Sequence, residues 1–361
     1  MHDSASYARL RLMMLRQSLF SCIAILTFIQ AMPAMAADSA VVLMYHRFGE
    51  DRFPSTSIRV EQFEAQLKYL QDNDYTVVPL TDVIAAVRDG QSLPARAVAI
   101  TIDDAYQSVY KVAYPLFREY DYPFTVFVAT DPVDQGLPSY LEWKQMREMA
   151  EHGATFANHG ASHDSVIARQ PGENDSAWLE RVRSNVDNGW QRVSAELDAL
   201  PGVFAYPYGE YNTVVANMLR EKGTIAFGQH SGAVGPHSDS RALPRFPMAE
   251  AFASLDQFRT KVASLPMPVL EVSPWEPIVT TSQPRIEVRL GAGDGDARLS
   301  ELACFVSGQG RVEVQWLEPN RLFAVGADKP TGPGRQRVNC TAPRSDGRYL
   351  WFSHPWIVHT E

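Results

Sequence analysis

Cysteine is scarce in this chain. Three in 361 residues exclude the disulfide-dense scaffold of a small secreted module. Positive charge is also short: 33 Lys and Arg face 42 Asp and Glu, a formal net charge of −9. Non-specific nucleic-acid binding, which calls for a basic surface, does not fit that balance. There is no internal repeat and no low-complexity tract. No apolar run reaches the ~20 residues of a spanning helix, which excludes a multi-pass membrane protein. What is present, 45% hydrophobic and 21% charged residues, is ordinary for a folded chain, and the length suggests about two domains.

The N-terminus reads as a leader rather than as part of the fold. Arg9, Arg11 and Arg16 precede the short apolar stretch 19–29, and Ala34-Met35-Ala36 follows. That is the layout of a secretory signal peptide over residues 1–36, cut after Ala36. Cys22 lies inside the apolar stretch, not after it, which argues against a lipid anchor. The expectation is an exported protein, periplasmic, envelope-associated or secreted, with no membrane span left after cleavage. Residues 1–36 carry three Arg and one Asp, so their removal takes the charge from −9 to −11. It leaves Cys304 and Cys340, an even pair that in an oxidising compartment reads as one disulfide.

From residue 37 to 265 strand-like and helix-like stretches alternate. The predicted strands are 40–45, 75–79, 97–102, 124–130, 154–158, 203–206, 224–229 and 243–247, rich in Val, Ile, Phe, Thr and Ala as buried parallel strands are. Val60, Phe63, Leu67 and Leu70 repeat on one helical face. Thr81 is expected to cap a helix over 82–89 that Gly90 stops. Repeated β-α alternation implies a parallel sheet, and eight strands favour closure into a barrel. Pro266, Pro268, Pro274 and Pro277 mark a linker over 266–280. Six short strands separated by turns then predict a small β-sandwich over 281–361 stapled by the two cysteines.

Ligands of parallel α/β folds bind at the carboxyl ends of strands, so the residues there matter most. Tyr45-His46 follows the first strand, Asp103-Asp104 the third, His159 to His163 the fifth, Tyr206-Pro207-Tyr208-Gly209 the sixth and His230 the seventh. Four of the eight histidines outside the leader fall at these ends. If 159–163 turns helically, His159 and His163 share a face and reach one ion. One carboxylate with two imidazoles is a sensible ligand set for a divalent metal, and it leaves a second carboxylate free as a base. Trp143, Trp275, Trp316, Trp351 and Trp356 read as packing residues rather than as sugar platforms.

These residues resemble the polysaccharide deacetylases (NodB-homology, carbohydrate esterase family 4). Thr101-Ile102-Asp103-Asp104-Ala105 is similar to their TFDDG motif, His159-Gly160-Ala161-Ser162-His163 to H-(S/T)-x-x-H, and Tyr206-Pro207-Tyr208-Gly209 to the third motif, R-x-P-Y-G. Leu43-Met44-Tyr45-His46 resembles the opening strand of the poly-N-acetylglucosamine deacetylase subgroup. The resemblance covers about 40–265. It implies an α/β fold, a distorted (β/α) barrel, here followed by the all-β domain. It also implies metal-dependent removal of N-acetyl groups from an amino-sugar polymer, poly-N-acetylglucosamine or another envelope glycan, with release of acetate. By position Asp103 is the base, and Asp104, His159 and His163 hold the metal, zinc by ligand type, with nickel and cobalt also suited. Tyr208 would supply the oxyanion N–H, with Tyr206 beside it, and Arg245 would orient Asp103. The motif that carries the family's catalytic acid is not found near the end of the barrel, which leaves His46 and His230. Ala105 stands for a glycine, so that turn is expected to avoid positive φ. Gly160 lacks the hydroxyl that braces the family's loop. An O-acetyl esterase and a catalytically degenerate glycan-binding protein stay open as alternatives. A chain of net −11 is expected to hold a neutral or cationic polymer, with other envelope proteins as partners of the C-terminal domain.

Overall fold

The computed structural model describes residues 36–293 and 295–359; the leader reading, Ala36 apart, lies outside them. Among the described residues no helix is long and apolar enough to cross a membrane.

Six parallel strands form the first half: β1 (Ala40–Tyr45), β2 (Ala97–Asp103), β3 (Phe124–Val128), β4 (Ala154–Asn158), β5 (Val203–Ala205) and β6 (Ile225–Phe227). They lie side by side in chain order. Ala233–Val234 adds an antiparallel edge to β1. The ring is closed by the segment after it: Leu243 bridges to Phe227 of β6, and Phe246 pairs with Leu43 of β1. Residues 243–247 therefore span the gap between first and last strands, and the barrel is distorted at that seam.

Side chains alternate across this sheet, and both faces are buried. Val41, Leu43, Val98, Ile100 and Ile102 pack outward, in one cluster with Phe63, Leu67 and Phe117. Val42, Ala97, Ala99, Phe127, Ala157, Ala205 and Phe227 form the inner cluster. The inner set is rich in alanine because a narrow barrel has little room inside. The same parity carries forward to the strand ends. Thr101 and Asp103 follow Ala97 and Ala99 on the inward face, His46 follows Val42, and His159 follows Ala157.

The helices have local causes. In α1 (Val60–Asp72) the buried residues are Phe63, Gln66, Leu67 and Leu70. Helix α2 (Leu80–Asp89) ends at Gly90, which takes φ 68°. Thr81 does not cap it; the helix starts two residues earlier than expected, at Leu80 after Pro79, whose fixed φ suits a helix start. Asn174 caps α3 (Asp175–Glu196) and Asn212 caps α4 (Thr213–Glu221), each with its side-chain oxygen on a backbone N–H at 2.9 Å.

The prolines of 266–280 do not make a free linker. Leu265–Pro266, Val269–Ser273 and Ile278–Val279 are strands, short because proline removes ladder donors. They enter two packed sheets. One is built on β7 (Ala303–Val306), β8 (Gly334–Pro343) and β9 (Tyr349–Val358); the other joins 269–273, 285–290, 314–318 and 322–326. Their facing side chains, among them Ile286, Val288, Phe323, Val338 and Trp356, form one core. Cys304 and Cys340 sit opposite each other across β7 and β8, buried and disulfide-bonded. The sandwich packs on the barrel through Trp351 against Phe246, ring centroids 5.0 Å apart, and Trp275 against Tyr211 at 5.4 Å.

Candidate active site

Asp103 ends β2 at the barrel mouth, fully buried. Arg245, on the seam segment, grips it with two hydrogen bonds: Nη1 to Oδ1 at 2.6 Å and Nη2 to Oδ2 at 2.8 Å. The guanidinium also donates to Thr101 Oγ1 at 3.1 Å and, through Nε, to the Gly228 carbonyl at 3.0 Å. Burial alone would raise the Asp103 pKa. Arg245, with His159 and His46, outweighs it and holds the carboxyl below its ordinary value. The expected base is thus ionised and fixed in orientation.

Asp104, His159 and His163 converge beside it, with ligand atoms all within 4.8 Å of one another. Asp104 Oδ1 lies 3.2 Å from His159 Nε2 and 2.8 Å from His163 Nε2. Despite that closeness, Asp104 Oδ1 and His159 Nε2 are buried without a well-directed hydrogen bond. His159 Nδ1 is 2.8 Å from the Ala205 carbonyl, which can only accept, so that nitrogen carries the proton. A neutral imidazole held this way presents a bare Nε2 lone pair to a carboxylate oxygen. Two buried acceptors face to face need a positive charge between them. Burial lowers the His159 pKa but Asp104 and Asp103 raise it overall, so a proton can serve, as can a metal ion; a carbonyl behind the histidine is the usual outer support of a metal ligand. The residues fit a divalent ion.

The two histidines do not share a helix. Residues 159–163 are a loop with φ 80° at Gly160 and 61° at His163. The brace expected from a hydroxyl at 160 comes from Asn185 on α3 instead. Its Oδ1 accepts from the N–H groups of Ala161 at 3.0 Å and Ser162 at 2.9 Å. Gly189, one turn further along α3, lets the helix come this close: a Cβ there would lie 2.5 Å from Asn158 Oδ1 and 2.6 Å from the Gly160 carbonyl carbon. The turn after the aspartates also departs from expectation. Asp104 (φ 73°) and Ala105 (φ 59°) both take the left-handed region. A left-handed alanine costs ~1–2 kcal/mol; burying its methyl group in the outer core returns ~0.8 kcal/mol.

The candidate acids separate. His46 Nε2 is 3.9 Å from Asp103 Oδ2. Burial lowers its pKa, against the pull of Asp104 and Asp103. His230 has a different setting, near Tyr211 and under the influence of Arg337, Arg245 and Asp239; burial first and the arginines next push it down to about 4. Tyr208, half exposed with φ 61°, stands over the centre, its ring 4.8 Å from that of His163. Tyr206 is not at the site. It is buried on the outer face with Phe204 and Tyr211, and its hydroxyl donates to the Arg241 carbonyl at 2.8 Å. Strand parity explains this, since 204 and 206 face out where 203 and 205 face in. Trp143 donates to Asp134 Oδ1 at 2.7 Å and packs beside the outer core.

Sequence reasoning missed Asn185 and two arginines, Arg335 and Arg337, which the sandwich brings to the cleft beside His46. Nothing local marks them. Only the alternation of β8, with 338, 340 and 342 turned into the sandwich core, would have set 335 and 337 on the other face.

Comparison with known proteins gives the same picture. Residues 90–226 match the family model described as polysaccharide deacetylase. YxkH of Bacillus subtilis is 28% identical over 184 residues, 50% of this chain and 61% of its own length. The poly-beta-1,6-N-acetyl-D-glucosamine N-deacetylase of Escherichia coli is 24% identical over 315 residues, 75% of this chain and 47% of its own length. The chain thus spans less than two thirds of these two relatives. Among solved structures, the deacetylase PplD of Streptococcus pyogenes, in complex with acetate, superposes with a TM-score of 0.56 at 20% identity, over 62% of this chain and 98% of that one. IcaB from Ammonifex degensii gives 0.53 at 23% identity, over 63% and 97%. At such identities the structures speak for the fold alone. Over residues 90–226 the chain is similar to the polysaccharide deacetylases, and the matching motifs stand at the strand ends of that fold.

Proposed function

We propose that this protein hydrolyses N-acetyl groups on an amino-sugar polysaccharide of the cell envelope, poly-N-acetylglucosamine-like in its acetylated unit, and releases acetate. The carrying observation is the pair of unpartnered buried acceptors, Asp104 Oδ1 and His159 Nε2, with His163 beside them and an arginine-held Asp103 next door. A divalent ion held by Asp104, His159 and His163 would supply Lewis acidity and a water of lowered pKa.

The chain's own groups do the rest. Asp103 accepts a proton from the attacking water, and Arg245 keeps it ionised and aimed. The Tyr208 N–H faces the oxygen of the former carbonyl as charge collects there. His46 donates a proton to the departing nitrogen. Water adds across the amide, the C–N bond breaks, and the products are acetate and a free amine. Export belongs to the same reading and is supported by the leader-like N-terminus and the disulfide.

The test is acetate release from acetylated glucosamine oligomers after chelation and metal add-back, with O-acetylated glycans in parallel. Activity should vanish with chelation and return with zinc, nickel or cobalt. Asp103→Asn should abolish turnover while the metal still binds, and His163→Ala should lose the metal. Near-normal turnover by Asp103→Asn sinks the base assignment. Turnover confined to O-acetyl substrates sinks the amidase reading.

A further inference from the structure

The cleft that adjoins the centre at His46 and Tyr208 has a volume of about 320 Å³ and is walled by both halves of the protein. Gln229 and His230 line it from the barrel, and Arg335 and Arg337 from β8. Among the described residues no Asp or Glu lines it. Val338, Cys340 and Ala342 point into the sandwich core, so Arg335 and Arg337, two residues apart, share the face turned to the barrel. Across the ladder they meet Ile357 and Pro355, neither of which can neutralise them.

The two arginines differ in what holds them. Arg335 Nη1 donates to the Tyr208 carbonyl at 2.8 Å, and its Nε lies 3.8 Å from Glu210 Oε1, a carboxylate also engaged by the Ser165 hydroxyl. For the Arg337 guanidinium, no ion pair or hydrogen bond exists among the described residues. Burial, then the charge of Arg335, pulls its pKa below its ordinary value. Beside it the buried His230 Nδ1 also lacks a partner. Two like charges in a half-dry cleft repel and lose hydration. The free guanidinium keeps a fork of donors that matches a planar oxyanion.

We propose that this cleft is an anion subsite: the glycan offered to the centre bears an acidic group, a carboxylate or phosphate, close to the acetylated sugar, and Arg337 with Arg335 binds it. The net charge of the chain suggests a neutral or cationic polymer; the cleft is opposite in sign. The proposal rests on the deacetylase reading for the acetylated sugar only.

The experiment compares an N-acetylglucosamine trimer with the same trimer bearing one succinyl half-ester, and with free succinate. Binding to the metal-loaded full-length protein is measured by calorimetry at low and high salt. The succinylated trimer should bind about tenfold tighter than the neutral one at low salt. Salt should shrink that ratio, Arg337→Gln should collapse it toward one, and Arg337→Lys should keep part of it. Equal affinities for the two trimers overturn the proposal, as does free succinate binding as tightly as the succinylated trimer. If Arg337→Gln fails to fold, the wild-type ratio and its salt dependence decide alone. Acetate release is read separately. Release without charge preference overturns the subsite and leaves the activity; charge preference without release does the reverse.

Discussion

His230 and His354 line one cavity of about 370 Å³ where barrel and sandwich pack, and they feel each other's charge. Both are buried, and His230 Nδ1 and His354 Nε2 have no hydrogen-bond partner. Burial pushes His230 from 6.5 to about 4 and His354 from 6.5 to about 3. Below pH 6.5 the unfolded chain takes up protons that the folded chain refuses. Their stabilising contribution is therefore complete above 6.5 and is lost as pH falls toward the folded values. The loss is ~1.4 kcal/mol per pH unit for each imidazole. At pH 5 that is ~2 kcal/mol each and ~4 kcal/mol together, a large part of the ~5–15 kcal/mol that holds a typical domain. The buried and paired carboxylates do not confound this. Asp103 is held below 3.8, and Glu173 and Asp346 are held at about 2 by their arginines, so these lose their contributions only further into acid. Urea unfolding followed by tryptophan fluorescence at pH 7.5 and 5.0 measures the difference. His354→Gln should shrink it by ~2 kcal/mol, and His230→Gln with His354→Gln by ~4 kcal/mol. That leaves the smaller effects of His46, lowered by burial, and His159, which burial lowers but Asp104 raises overall; these two oppose each other. Equal stability at the two pH values, or an undiminished difference in the double variant, refutes the account.

Three further outcomes follow from the geometry. Arg245→Leu leaves a buried carboxylate unpaired and should cost ~3–5 kcal/mol, most of it regained when Asp103→Leu is added; chemical denaturation of single and double variants reads this. Gly189→Ala drives a methyl group into the backbone of the 158–161 loop. It should cost ~1–3 kcal/mol and weaken zinc binding with no ligand removed, as metal titration would reveal. Replacing Cys304 and Cys340 by serine opens a 36-residue separation, worth ~4 kcal/mol on the chain-entropy model, and the midpoint of thermal unfolding should fall to match.

The clustering of Asp104, His159 and His163 is legible in the sequence because chemistry at strand ends survives errors of a residue or two in strand boundaries. Asp103, Asp104, His159 and His163 stand where β2 and β4 end, and parity alone turns Asp103 and His159 inward. Tyr206 was misplaced because its motif was read without that parity, which sets it outside with Phe204. The helical turn that i, i+4 spacing allows over 159–163 does not form, because spacing does not report φ and Gly160 and His163 take the left-handed region. Ala105 inverted its expectation in the same way: the need for glycine is a matter of ~1 kcal/mol, which a buried methyl group can largely offset.

The cleft arginines lie beyond any local reading. Arg335 is 127 residues from Tyr208 in the chain, yet it donates to that residue's carbonyl. Pro207 and Gly209 flank Tyr208, and its left-handed φ is uncommon for a bulky residue, so a bond to its carbonyl fixes a strained turn that a free loop would relax. The sandwich then does more than accompany the barrel, because it holds the residue to which the proposed mechanism gives the oxyanion N–H. Arg335→Lys keeps the charge but loses the planar fork. It should lower kcat more than it raises KM on a neutral N-acetylglucosamine trimer, with zinc affinity unchanged. A rise in KM alone would show that Arg335 touches substrate without setting the turn.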